Sequence, residues 1–300
     1  MAKTPEKPMI LVTAAPLRAS LRVVLIGAGG NGARVMPPLM QMLRPGDQVS
    51  VVDHDIVEDR NLARQHFTER DIGRPKALVL AERYRRPSIE VTAFAQQVLP
   101  TTTSRLLSDL PRMTTPYHTV VIGCVDNWEA RAQIQSMVVG IISPPRAYID
   151  VGNETRGGQV LMALFGWPAT IAGTTPGPVN VTIPAFHAMP QLLCAQRWLC
   201  HQCGVWNTAV VCHECNQPQA SCGQRVDMQT VMVNHMAAAG AINCLSWLML
   251  GIPFTSCGAF FSTLNTMQPI RLDRVGPTFG HIEPELTFAD PASGAEDHPA

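Results

Sequence analysis

Asn61, Arg64, Gln65 and Lys76 fall within one short polar segment, and Asp126 stands farther along, between an apolar run and a helical one. An Arg fork and a Lys point charge are suited to phosphate oxygens. A reaction that releases pyrophosphate needs several such cations near the phosphates, whereas a nicotinamide site needs few beside its ribose. A second group consists of sulfur ligands. Cys200-His201-Gln202-Cys203 and Cys212-His213-Glu214-Cys215 are CxxC pairs separated by eight residues. Tetrahedral Zn²⁺ takes four soft or borderline ligands, and each pair supplies two thiolates from one tight turn. Four cysteines complete the set without His201 or His213, and a redox disulfide would need only one pair in a different context. Cys222 lies just before a long helical run, at about residues 225–250. A thiol at a helix N-terminus has its pKa lowered toward the reactive thiolate. It also reads as a spare cysteine of the metal region, or as a buried one.

These groups need a frame. Val23 to Ile26 is apolar and β-branched, which predicts a buried strand. It ends in Gly27-Ala28-Gly29-Gly30-Asn31-Gly32, a G-x-G-x-x-G turn that lets the backbone approach phosphates at a helix N-terminus. A second strand, Gln48 to Val52, delivers Asp53, 21 residues after Gly32, where an acid is expected to bind ribose hydroxyls. The helix from about Asn31 carries Pro37 and Pro38, which predicts a kink or a very short helix. A helix after Lys76, a strand at Glu90 to Ala95, a helix at 101–112, a strand at Thr119 to Val125 and a helix at Trp128 to Met137 follow. Alternation of this kind predicts an α/β, Rossmann-like, mainly parallel sheet with helices on both faces. Asp126 then falls at the carboxyl edge of the sheet. There it can hold Mg²⁺ against a phosphate, cap the following helix, or both. Arg83, Arg85 and Arg86 read as a solvated helix C-terminus, and His235 as a satisfied core histidine. Asn234 and Asn243, inside the apolar helix, call for buried partners.

The string Asp53, Asp55, Val57, Glu58, Asn61, Leu62, Arg64, Gln65, Phe67, followed by Asp71, Gly73, Lys76 and Ala77, resembles the ThiF/MoeB/ubiquitin-activating E1 superfamily. TVVIGCVDNWEARAQI agrees with it, through Asp126, Asn127 and Arg131. YIDVGNETRGGQVLMA and GAFFSTLNTMQPIRLD are similar to the branch called PRTRC-system ThiF proteins. The resemblance covers roughly residues 20–275. It implies ATP with its ribose on Asp53 and its triphosphate across Gly29 to Gly32. Asn61, Arg64 and Lys76 would steady phosphate charge, Gln65 would support them, and Asp126 would hold Mg²⁺. The implied reaction is adenylation of the C-terminal carboxylate of a small ubiquitin-like or sulfur-carrier-like protein. In part of the superfamily a cysteine near the start of the crossover helix, here Cys222, then takes the acyl group as a thioester. An E2-like acceptor and a homodimer are implied as partners. Relatives often supply an N-terminal arginine to a neighbouring subunit's ATP, but no RYxRQ-like segment is present, and Arg18 and Arg22 read as solvated flanks of the first strand. Both CxxC pairs precede the long helix, which marks a local zinc-ribbon insertion at about 198–218.

With 46% apolar and 15% charged residues in 300, a large core is available. Net charge is zero, which argues against nucleic acid, since no basic stripe would neutralise phosphates. No apolar run reads as a membrane span and no signal peptide is evident. Nine cysteines, four of them in CxxC pairs, point to a reducing, cytoplasmic setting and to metal. Residues 1–17 read as a tail, 18–282 as the adenylation domain, 166–190 as a long Pro-rich connection and 283–300 as a disordered acidic tail. Two rival readings remain: an NAD(P)-dependent oxidoreductase, and a non-catalytic scaffold of the same fold binding a partner through the ribbon.

Overall fold

The computed structural model describes residues 11–15, 19–63, 65–140, 146–153, 157–172, 179–183, 198–199, 206–207, 231–262, 268–271 and 278–279. Arg64, the four CxxC cysteines, Cys222 and residues 283–300 lie outside the described residues. β1 (Val12–Ala14) comes first, then β2 (Ser20–Ile26), α1 (Gly32–Met42) and β3 (Gln48–Val52). Two short 3-10 helices, Asp59–Asn61 and Glu69–Asp71, precede α2 (Lys76–Arg83), β4 (Glu90–Phe94) and α3 (Pro100–Asp109). β5 (Tyr117–Gly123), α4 (Trp128–Gly140) and β6 (Arg146–Asn153) complete the first half. The strands stand in the order β4-β3-β2-β5-β6, and every adjacent pair is parallel. β3 is buried along its whole length, as is β5 from Thr119 onward. Such unbroken apolar strands require cover on both faces. Right-handed crossovers supply it: the chain steps outward from β2 to β4, then returns to β5 and β6, so α1 and α2 lie on one face and α3 and α4 on the other. The reversal falls between β2 and β5, and a crevice opens there at the strands' carboxyl ends.

The second half of the sheet is antiparallel. β7 (Gly157–Ile171) begins four residues after β6 ends and pairs with it in the opposite direction, because so short a link cannot make a parallel crossover. β8 (Val179–Ile183) pairs with β7. The two-residue strands β9 (Trp198–Leu199) and β10 (Trp206–Asn207) pair with each other. α5 (Val231–Leu250) leads to β11 (Ser256–Ser262), beside β7, and then to β12 (Gln268–Arg271), while β13 (Thr278–Phe279) pairs with β8. A mainly parallel sheet therefore describes the nucleotide-facing half only.

Four expectations need correction. Residues 1–17 are not a tail throughout: Val12 and Ala14 are fully buried and β1 pairs with β7, with Val12 opposite Ile171. Their alternation with Thr13 matches the pleat. The supposed connection at 166–190 contains strand at both 166–171 and 179–183. Gly166, at φ 61°, sits where the β7–β8 register shifts between Leu164 and Trp167. A bulge of this kind lets β7 continue through Pro168, whose carbonyl accepts the Ala15 N–H at 2.8 Å. The long helix α5, with 20 residues and a mean hydropathy of 1.2, is long and apolar enough to span a membrane. Half of it is buried, against α1, β6, β7 and β11, which makes it the core helix of this sheet. α1 is not short either: it runs 11 residues through both prolines.

Candidate nucleotide site

The glycine loop is shaped by its neighbours as well as by any ligand. Gly27 donates its N–H to the Val52 carbonyl at 2.8 Å and has φ 93°. A Cβ there would lie 2.5 Å from the Cys124 carbonyl oxygen, and one at Gly32 would lie 1.9 Å from the Gly27 oxygen. Those glycines close the β2 turn onto the end of β5. Gly29 is different, since a Cβ there would meet only Gln65 Nε2, at 3.9 Å. Its lack of a side chain leaves open room above the loop.

Asp53 ends β3 and ties the two halves of the site together. Oδ2 accepts the Ala28 N–H at 2.5 Å and Oδ1 accepts the Asp55 N–H at 2.7 Å. Burial pushes the carboxyl up from the ordinary Asp value, against the pull of both N–H groups and of Lys76. Lys76 opens α2, is 5% exposed, and donates from Nζ to Asp55 Oδ2 at 2.8 Å. A cation at the positive end of a helix is unfavourable on its own, and Asp55 offsets it. Asp55 is therefore an ion-pair partner as well as a turn residue. Among the described residues, Asp53, His54 and Asp55 bring ligand atoms within 4.8 Å of one another, but both Asp53 oxygens already accept backbone N–H groups.

Asn61 and Gln65 lie on the other wall. Asn61 Oδ1 accepts the Glu58 N–H at 2.9 Å, and the Asn61 carbonyl accepts the Gln65 N–H at 2.8 Å. Gln65 is 8% exposed, with its Oε1 unpartnered. Arg83 is no solvated cap: it donates to the His66 carbonyl and, at 2.5 Å, to Asp71 Oδ2. Those bonds hold His66, next to Gln65, and Asp71 against the end of α2.

Asp126 lies at the carboxyl end of β5, exposed, on the same edge as the glycine loop. It does not cap α4. Asn127 does, since its Oδ1 accepts the Ala130 N–H at 2.8 Å. Beneath this turn Arg131, 4% exposed, donates to Asp150, which is fully buried, and to the Val125 carbonyl at 2.9 Å. Tyr148 adds its hydroxyl to Asp150 at 3.1 Å. Burial raises the Asp150 carboxyl while Arg131 and the Tyr148 hydroxyl draw it down. Burial also pushes up the Cys124 thiol, as expected of a core cysteine.

Sequence reasoning missed one set of contacts. Asn31 Nδ2 donates to Asn153 Oδ1 at 3.0 Å, and Asn153 Nδ2 donates to Asn234 Oδ1 at 2.5 Å. The relay joins the glycine loop, the end of β6 and α5. Asn234 was visible only as a lone polar residue in an apolar helix. Asn243 and His235 are both exposed, so neither is a buried polar group. Arg22 is not a solvated flank, because its guanidinium lies 4.5 Å from the Tyr117 ring centre at the far end of the sheet from the loop.

The ThiF family profile matches residues 13–249. The NEDD8-activating enzyme E1 catalytic subunit of Saccharomyces cerevisiae is 33% identical over 153 residues, which is 48% of this chain and 48% of that one. The sulfur carrier protein ThiS adenylyltransferase of Escherichia coli is 32% identical over 150 residues, 49% of this chain and 54% of that one. The chain thus spans about half the length of these relatives. The crystal structure of E. coli MccB with ATP has the same fold, with a TM-score of 0.50 at 17% identity, over 83% of this chain and 64% of that one. PaaA gives a TM-score of 0.51 at 14% identity, over 83% and 64%. With the profile match running from β1 to the end of α5, and with the glycine loop and Asp53 meeting at the sheet's point of reversal, the chain belongs to the ThiF family.

Proposed function

We propose that this protein is an ATP-dependent adenylyltransferase that activates the C-terminal carboxylate of a small ubiquitin-fold or sulfur-carrier protein. The observation that carries this reading is Asp126: an exposed carboxylate at the crevice edge, relieved of helix capping by Asn127. A nicotinamide site has no use for an exposed carboxylate at the crevice edge or for a buried lysine near the ribose acid. The names of the NEDD8-activating and ThiS-adenylylating relatives support the choice of substrate.

ATP fits the residues present. The space above Gly29 and the unpaired Gln65 amide oxygen are a cradle and a polar group in want of a partner. Asp53 would take the ribose hydroxyls, and Gly29 to Gly32 the phosphates. Lys76, Arg64 and the Nδ2 end of Asn61 would meet phosphate oxygens. Asp126 would hold a magnesium ion, which when bound neutralises phosphate charge. The substrate carboxylate attacks the α-phosphorus in line, an acyl-adenylate forms and pyrophosphate departs. Cations fixed where charge develops lower that barrier without reorganising.

The later steps rest on residues outside the described ones. Cys222 would take the acyl group as a thioester and pass it to an E2-like acceptor. Cys200, Cys203, Cys212 and Cys215 would hold Zn²⁺, and the β9–β10 pair brackets the first two of them, which supports a knuckle there. A homodimer in the cytoplasm is the proposed setting. ATP–pyrophosphate exchange, scanned over candidate ubiquitin-fold partners, tests the reading. Exchange that depends on a partner's free C-terminus supports it; silence throughout with ATP binding intact would instead favour a scaffold.

A further inference from the structure

Asp126 is exposed, yet the backbone on both sides of it is held. On one side Cys124 donates its N–H to the Ile26 carbonyl at 2.7 Å. A Cβ on Gly27 would come within 3.3 Å of the Val125 nitrogen, so the chain enters the turn pressed against the glycine loop. Arg131 takes the next carbonyl, that of Val125, at 2.9 Å from Nη2. On the other side Asn127 caps α4, and its carbonyl accepts the Arg131 N–H at 3.4 Å. Arg131 therefore grips the peptide before Asp126 with its side chain and the peptide after Asn127 with its backbone.

The guanidinium is itself aimed. Nη1 donates to Asp150 Oδ2, and Nη2 also reaches the Val151 carbonyl at 3.3 Å. The Tyr148 hydroxyl donates to the other oxygen of Asp150 at 3.1 Å. Tyr148, Asp150 and Gly152 alternate along β6 and so share one face. Glycines clear the space for these groups. A Cβ on Gly152 would lie 2.7 Å from Arg131 Nη2, and one on Gly123, opposite Asp150 in the register, would lie 2.8 Å from the Tyr148 hydroxyl oxygen. Stability alone does not call for this arrangement. Burying an ion pair costs both ions their hydration, and well-packed apolar side chains would tie the strand ends as firmly. What apolar residues lack is direction. A planar fork with one arm anchored on a carboxylate fixes where its other arm holds a carbonyl.

We propose that Arg131 is a positioning residue: anchored on Asp150 and Tyr148, it sets the Val125–Asp126 peptide so that the Asp126 carboxylate meets magnesium at the crevice edge. The inference rests on the role of Asp126 in the adenylation reading above and extends it to residues that touch neither ATP nor metal. Arg131 is 4% exposed and Asp150 fully buried, so they act through the turn and not on a ligand. A carboxylate on a loose turn loses conformational freedom each time it takes a ligand. One on a turn fixed from both sides has lost it already.

The test is ATP binding to the full-length protein by calorimetry, with Mg²⁺ and without it, beside thermal melts. The gain in ATP affinity on adding Mg²⁺ reads the magnesium site alone. Asp126→Ala, which removes the carboxylate, should erase that gain. Arg131→Lys keeps a charge for Asp150 but has no second arm for the Val125 carbonyl. Its gain should fall about tenfold or more, as for other groups that orient a metal ligand, while affinity without Mg²⁺ stays within about twofold. Tyr148→Phe removes one hydroxyl from Asp150 and should lower the gain about threefold. A wild-type gain in both Arg131→Lys and Tyr148→Phe, with Asp126→Ala reduced, would overturn the inference and leave the role of Asp126 standing. Equal loss with and without Mg²⁺ in Arg131→Lys, in step with a lower melting temperature, would make the network a structural part and also overturn it. A wild-type gain in Asp126→Ala would remove the magnesium role and the inference together. The measurement needs no carrier protein, so it does not depend on finding the carboxylate substrate.

Discussion

Asn127 and Asp126 divide two tasks: Asn127 Oδ1 takes the Ala130 N–H at 2.8 Å, whereas among the described residues Asp126 accepts a long contact from Asn127 Nδ2, at 3.3 Å. Replacing the two should therefore have opposite effects. Asp126→Ala should lower adenylation by about 100-fold or more while the melting temperature holds. Asn127→Ala should cost about 1 kcal/mol of stability, as for other helix caps. Pyrophosphate exchange and thermal melts on both variants decide it. A destabilised Asp126→Ala protein would return the capping role to Asp126.

The glycines of the loop should separate in the same way. Gly32→Ala forces a Cβ against the Gly27 oxygen and should unfold the loop or the protein, because backbone cannot yield as a side chain can. Gly29→Ala meets nothing closer than 3.9 Å, so its melting temperature should match the wild type. Its ATP affinity should nonetheless fall roughly tenfold or more, since a methyl group displaces a phosphate contact. Full ATP affinity in Gly29→Ala would mean that the phosphates lie elsewhere.

Asp71 makes a prediction about acid stability. Burial alone would raise its carboxyl, but the Thr68 N–H and hydroxyl and the Arg83 guanidinium outweigh it and hold the pKa below the ordinary value. Its stabilisation is thus complete above the unfolded-state value, about 4, and disappears as pH falls through the folded-state value. Asp71→Asn should cost about 1–2 kcal/mol at pH 7, and the gap from wild type should close below about pH 4. Urea melts at several pH values measure it. A gap that persists in acid would assign the cost to shape, not charge.

Zinc can be counted directly. The double replacement Cys200→Ser and Cys203→Ser should lower the metal content of purified protein from about one zinc per chain toward zero. A strong chelator should lower the melting temperature of the wild type and leave that variant unaffected. Unchanged zinc after the substitutions would dismiss the four-cysteine site.

Periodicity made the parallel half of the fold legible. The predicted second strand, Gln48 to Val52, is β3 residue for residue, because a buried parallel strand is unbroken apolar sequence between turn signals. Asp53 and the glycine loop were legible because one spacing encodes both. β1 and the end of β7 were not, since three residues among prolines, or a strand interrupted by Gly166 and Pro168, lack the period that a sequence window detects. Their stability comes from partners more than 150 residues away, such as Ile171 opposite Val12. The asparagine relay was hidden for a related reason. A polar side chain shows its partner only after the chain has brought α1, β6 and α5 together.

The Arg131–Asp150 pair also constrains how this sequence can drift. With 4% and 0% exposure, losing either partner strands the other's charge, at a cost of about 3–5 kcal/mol. Replacing both with apolar residues of similar volume can be neutral. No single substitution connects the two states without crossing a deep fitness valley. Among descendants of this chain the two positions should change together or not at all, and a lineage that keeps one while losing the other should show a compensating change at Tyr148, whose hydroxyl bonds Asp150, or at Gln159, whose side chain also stabilises the Asp150 carboxylate.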